Sequence, residues 1–243
     1  MALHHIQPER RNLHGQFSRE LEPVLTIAPG DTVEYGTLDA GWGLEAPRLD
    51  GTPRRKFEPR EPEGRDGGHA MCGPIAIEGA QPGMTLAVTI EAIEPGAWGW
   101  TFVGGWDHPV HKRLGTTGEE QLMVWSLDAA NGVARNQLGH TVPLRPFMGV
   151  MGMPPDEAGW HSSVPPRVTG GNIDCKELIP GSTLYLPIAV PGGLFSVGDG
   201  HGAQGDGEVC VTAIECPMER VRLTFNLLPE LKLKTPRART PSG

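Results

Sequence analysis

Three times along this chain an apolar run breaks at a Pro-Gly pair and then resumes: at Pro29-Gly30, Pro82-Gly83 and Pro180-Gly181. Proline presets φ for the first corner position of a tight turn, and glycine accepts the positive φ of the second, so each pair turns the chain within a few residues. The flanking runs have the two-residue period of half-buried strands: Val33 and Tyr35, Ile75 and Ile77, then Leu86, Val88 and Ile90. We read the three units as hairpin corners of a β architecture. Their irregular spacing argues against a solenoid repeat.

Composition supports this reading. Gly and Pro number 34 and 24 among 243 residues, yet hydrophobic residues still reach 38% and are spread along the whole length. That combination is not a disordered one; it describes many short strands joined by turns. Residues 208–215 and 219–228 read as two further strands. Residues 39–68 read as a long charged loop, and the basic, proline-bearing tail 229–243 as loose. No segment carries a long amphipathic helix. The expected organisation is a single unit over 1–243, with room for two intertwined β sub-lobes.

A formal net charge of −8 disfavours nucleic acid or an anionic membrane as partner. No apolar stretch approaches the ~18 residues of a membrane span. The first residues, MALHHIQPERRNLHG, lack the apolar core of a signal peptide, so a cytoplasmic location is expected. The cysteines, Cys72, Cys175, Cys210 and Cys216, form no close pair and are expected as free thiols.

The chemistry concentrates in Gly198–Glu208, GDGHGAQGDGE, where Asp199, His201, Asp206 and Glu208 stand among five glycines. On an extended backbone Asp199 and His201 share a face, as do Asp206 and Glu208. The glycines leave bare backbone, which a ligand or another chain can approach closely. Asp and His two apart on one strand face can ligate one ion, with a nearby Glu as further ligand or base. A second polar cluster, GGNID, aligns Asn172 and Asp174 by parity; a third places Asp39 where a strand meets a loop. Ser196 lacks the first glycine of a nucleophile elbow, and His201 and Ala203 break an EF-hand calcium pattern. Cys210 reads as a buried strand thiol and His140 as structural.

The blocks HGQFSRELEPVLTIAPGDTVEYGTLDAGWG (14–43), GHAMCGPIAIEGAQPGMTLAVTI (68–90), NQLGHTVPLRPFMGVMGMPP (136–155) and TGGNIDCKELIPGSTLYLPIAVPGGLFSVGDGHGAQGDGEV (169–209) resemble the acetamidase/formamidase family over nearly the whole chain. The resemblance implies a mainly β fold, a jelly-roll-like β-sandwich with a smaller mixed α+β part. It implies homo-oligomers, dimeric or higher, and hydrolysis of a small amide such as formamide or acetamide to carboxylate and ammonia. It also implies a divalent-metal site, zinc by preference. Asp39, Asn172, Asp174, Asp199, His201, Asp206 and Glu208 match the family's polar motifs.

We assign Asp39, Asp174, Asp199 and His201 as metal ligands. Glu208 is the base that takes a proton from water and delivers it to the leaving nitrogen, Asn172 or a glycine N–H steadies the oxyanion, and Asp206 supports as a neighbouring carboxylate. The bound ion would lower the pKa of its water toward ~7. Trp42, Phe147 and Met151, with Met148, would line an apolar substrate wall. Two other readings stand beside this one: a cysteine-dependent amidase using Cys210, and a non-catalytic member of the family, suggested by family members that continue beyond the segment matching residues 236–243.

Overall fold

The computed structural model describes residues 1–242. The architecture is mainly β: two six-stranded sheets face each other across one core, and a four-stranded sheet and a two-stranded pair complete the structure. One large sheet runs in the order Leu3–Ile6, Thr32–Thr37, Met218–Leu228, Thr85–Pro95, Thr183–Pro187, Arg237–Arg239. The other runs Gly170–Asn172, Phe147–Gly152, Phe195–His201, Met71–Ile77, Leu13–His14, with Leu25–Ile27 also pairing Met71–Ile77 in parallel. Core residues come from both: Leu86, Val88, Leu223 and Phe225 from the first, Ile75, Phe147, Phe195 and Val197 from the second. The Phe195 and Phe225 rings meet edge to face at 5.0 Å between centroids, which locks the two layers together.

The Pro-Gly corners are turns with the expected positive φ at Gly30, Gly83 and Gly181. None of the three is a hairpin, since Pro180-Gly181 too stands between Gly170–Asn172 of one sheet and Thr183–Pro187 of the other. Leu25–Ile27 pairs with Met71–Ile77, whereas Thr32–Thr37, after the Pro29-Gly30 turn, joins the opposite sheet; Met71–Ile77 and Thr85–Pro95 likewise lie in different sheets. The corners therefore carry the chain from one layer to the other. Alternation predicts strands, but which strand pairs with which depends on contacts distant in sequence.

Residues 39–68 form no strand, as expected, and are tied down by single contacts such as the Gly43–Lys56 bridge. The tail departs from expectation: Arg237–Arg239 pairs with Thr183–Tyr185 as an edge strand. Residues 208–215 also depart, since this segment is a short 3-10 turn over Asp206–Glu208 followed by irregular chain, with only Glu215 bridging Trp100 and His201. The smaller part is Trp98–Val103, Gln121–Asp128, Val133–Asn136 and Thr141–Pro143, with one short helix, Pro109–Leu114. No helix among the described residues is long and apolar enough to cross a membrane.

Candidate metal centre

Phe195–His201 is buried along its whole length at the middle of its sheet. Its two-residue period sends Asp199 and His201 to one side. The intervening glycines serve the other side, where a Cβ on Gly198 would strike the Ala70 carbonyl and one on Gly200 would lie 2.6 Å from Met218 Cε. The glycine rhythm therefore admits neighbouring chain, not ligand. On the site's own side the partner strand contributes Gly149. A Cβ there would come within 2.7 Å of Asp174 Oδ1 and Asp199 Oδ2 and 2.9 Å of His201 Cε1. The bare backbone at this position leaves the room the cluster occupies.

His201 is the hub. Its Nδ1 lies 2.9 Å from Gln204 Oε1, which can only accept, so Nδ1 carries the proton. Gln204 is oriented in turn by donating to the Asp174 carbonyl at 2.9 Å. The lone pair thus sits on Nε2, and around Nε2 stand Asp199 Oδ1 at 3.3 Å, Glu215 Oε2 at 3.4 Å and Asp174 Oδ1 at 4.0 Å. Glu208 Oε1 lies 3.9 Å from Nδ1. The Phe147 ring, edge-on at 5.0 Å, backs the imidazole. Asp174, Asp199 and Glu208 all have positive φ, a conformation that side-chain-bearing residues adopt at a cost of about 1–2 kcal/mol each.

The electrostatics are those of a buried acidic cluster. Four carboxylates surround one imidazole in a cavity of about 370 Å³ whose lining includes neither Lys nor Arg. Asp174 Oδ1, Glu208 Oε1 and Glu215 Oε2 are buried without any hydrogen-bond partner. Burial, then the Asp199 charge, pushes Asp174 up to about 6. Burial, then Asp174, pushes Glu208 up to about 7. Burial likewise raises Glu215 to about 7, against the pull of His201. Burial works against the charged forms of Asp199 and His201 too, yet their mutual attraction holds Asp199 low and, with Glu215, raises His201 well above its usual range. A divalent ion on Nε2 would replace the proton that these acids otherwise compete to keep. The separations of 3.3–4.0 Å about Nε2 suit neighbouring ligands of one ion at metal–ligand distances of about 2.0–2.2 Å.

Asp174, Asp199, His201 and Glu208 thus come together as the sequence suggested. Glu215 joins them: by pattern it closes the apolar run VCVTAI as a strand end, yet it is buried beside His201, and a carboxylate is buried in this way only with a partner. Asp39, expected among the ligands, is held elsewhere. It is fully buried, paired with Arg54 Nη2 at 2.7 Å, and accepts from Trp100 Nε1 and the Gly43 amide at 2.5 Å each. Asp206 does not share a face with Glu208, because positive φ at Gly207 turns the chain between them; it is exposed and pairs with Lys176 at 2.7 Å.

Asn172 lines the cavity, but its Nδ2 is engaged by the Val164 carbonyl at 3.0 Å, so it faces the site with an acceptor and not the expected oxyanion donor. Trp42, Phe147 and Met151 are core residues, and Trp42 Nε1 donates to the Gly68 carbonyl. The apolar wall is instead Trp100, Phe102, Val164 and Val211. Cys210 is not in the lining; its thiol bonds to Thr212, and among the described residues no base stands in hydrogen-bond reach of it.

A family model described as the acetamidase/formamidase family matches residues 3–162 and 159–240. Over 248 residues the chain is 25% identical to a formamidase of Methylophilus methylotrophus, covering 81% of this chain and 59% of that protein. The crystal structure of a predicted acetamidase/formamidase from Thermoanaerobacter tengcongensis superposes with a TM-score of 0.83 at 27% identity, covering 99% of this chain and 75% of that one. An acetamidase from Yersinia enterocolitica superposes at 0.78 with 30% identity, covering 98% and 72%. The chain therefore spans between 59% and 75% of the length of these relatives.

Proposed function

This chain belongs to the acetamidase/formamidase family, hydrolases of linear amide C–N bonds, and we propose that it cleaves a short aliphatic amide, formamide or acetamide, to the carboxylate and ammonia. The residues fit a divalent cation, zinc by their mixed nitrogen and oxygen donors. His201 Nε2 with Asp174, Asp199 and Glu215 would hold it, and once bound it would supply Lewis acidity toward the amide carbonyl and the attacking water.

The chain's own residues then handle the protons. Glu208 lines the cavity, is half-buried, and has an unpartnered Oε1. Its carboxylate takes a proton from water as the oxygen adds to the carbonyl carbon. The same proton passes to the amide nitrogen as the C–N bond breaks, because an unprotonated amine leaves poorly. Trp100, Phe102, Val164 and Val211 would hold the alkyl end. Discrimination by one methylene against such a wall is worth about 1–3 kcal/mol.

One observation carries this reading: three unpartnered buried carboxylate oxygens around a histidine whose Nε2 lone pair is left free by Gln204. The test is metal content of the purified protein beside ammonia release from formamide, acetamide and propionamide, before and after chelation. Turnover that follows metal content supports the proposal; full turnover by metal-free protein refutes the mechanism.

A further inference from the structure

Two cavity-lining side chains outside the carboxylate cluster are held by consecutive residues of one loop. His69 is held by Ser163: the hydroxyl accepts the His69 backbone N–H at 3.0 Å and lies 3.0 Å from the ring Nδ1. Ser163 is fully buried, so its own proton cannot go to water, and His69 Nδ1 is the one acceptor in reach of that hydroxyl among the described residues. The hydroxyl therefore donates to Nδ1, which fixes the proton of the neutral imidazole on Nε2. Gly68 makes this seat possible, since any Cβ there would collide with the Ser163 hydroxyl.

Asn172 is held by the next residue. A carbonyl cannot donate, so the Asn172 group 3.0 Å from the Val164 carbonyl must be its NH₂. That leaves Oδ1, which is buried and without a partner. Both residues line the cavity that holds His201 and Glu208. The loop thus presets one N–H donor and one carbonyl acceptor, the complement of the C=O and N–H of a primary amide.

We propose that His69 and Asn172 form the amide-recognition pair of this site: His69 Nε2–H donates to the substrate carbonyl oxygen, and Asn172 Oδ1 accepts a substrate N–H, with Ser163 as the positioning residue for His69. This rests on the amide-hydrolase reading. It adds a catalytic donor that touches the oxygen where negative charge develops. It also gives a reason to prefer an unsubstituted amide nitrogen, because a buried acceptor left unpaired is costly.

The experiment compares acetamide with methyl acetate, which keeps the carbonyl and lacks the N–H, in the metal-loaded full-length enzyme. His69→Ala should lower kcat/KM about 10²–10³-fold on both substrates, and His69→Gln, which keeps an N–H donor, should recover part of that. Asn172→Ala should cost about tenfold on the amide and leave the ester nearly unchanged. Metal content and melting temperature of each variant, held at wild-type values, separate these losses from ligand loss or misfolding. If His69→Ala loses metal or fold, Ser163→Ala, outside the cavity lining, replaces it and should reproduce part of its loss on both substrates; if Asn172→Ala does, Asn172→Ser replaces it and should show the same loss on the amide alone. Equal effects of Asn172→Ala on amide and ester, or a His69→Ala enzyme within about threefold of wild type on both, would overturn the pair while leaving the amidase intact. A wild-type enzyme inert toward every amide would overturn the amide-hydrolase reading itself, and the pair with it.

Discussion

Gly149 is where one methyl group should matter most. It does not sit at positive φ, so alanine is tolerated by the backbone; the added Cβ would instead press on Asp174, Asp199 and His201. Gly149→Ala should fold, bind the metal poorly and lose at least about tenfold in activity, read as metal stoichiometry against turnover. Asp39→Asn should do the opposite. Removing the buried charge that pairs the largely covered Arg54 should cost about 3–5 kcal/mol in unfolding free energy while metal content per folded molecule stays at the wild-type value.

A third consequence concerns His14, which is fully buried, donates from Nδ1 to the Gln16 carbonyl at 2.8 Å and places Nε2 2.9 Å from Ser196 Oγ. Burial pushes its pKa from 6.5 down to about 4. The unfolded chain therefore binds the proton first: the contribution is fully present above pH 6.5 and is lost as pH falls through about 4. At most about 3 kcal/mol of stability should disappear over that window. Urea unfolding at pH 7 and pH 4 should show this slope in the wild type and much less of it in His14→Gln; equal slopes would contradict it.

The Phe195–His201 strand and the irregular segment after it divide the labour. The strand supplies Asp199 and His201 by simple alternation, which is why they were legible in the sequence. Glu208 and Glu215 come from a segment whose φ values at Gly207, Glu208 and Val211 break any period, so alternation aligned Asp206 with Glu208 wrongly and hid Glu215. Asp206→Ala should therefore leave activity unchanged and stability within about 0.5 kcal/mol, as for an exposed ion pair. Cys210→Ala should also keep full turnover, since its thiol has no base beside it; abolition would revive the cysteine mechanism. The Pro-Gly corners teach a related lesson. Proline and glycine fix where the chain turns, and Gly30, Gly83 and Gly181 do so; only the packing of Ile75 and Phe195 against Leu223 and Phe225 decides that those turns cross between layers.

Across the whole molecule, the β-rich architecture was legible because its evidence is local: short alternating runs, turn residues and no helical period. The site was legible in part because its candidate ligands are recruited from different depths of the fold. Asp174 follows an edge strand, Asp199 and His201 lie on a central one, and Glu208 and Glu215 come from the crossing segment that reaches the smaller sheet at Trp100. An ion held by residues of three segments links them in the native state alone, so loading should raise the melting temperature and chelation lower it. The most direct measurement is a titration of chelated protein with zinc, following ammonia release from acetamide and bound metal together, with His201→Ala in parallel. Activity rising in step with bound metal, and a His201→Ala protein that regains neither, is the expected result. Turnover that is complete before any metal is bound, or a His201→Ala protein that binds metal and hydrolyses acetamide like the wild type, would contradict a metal centre at His201.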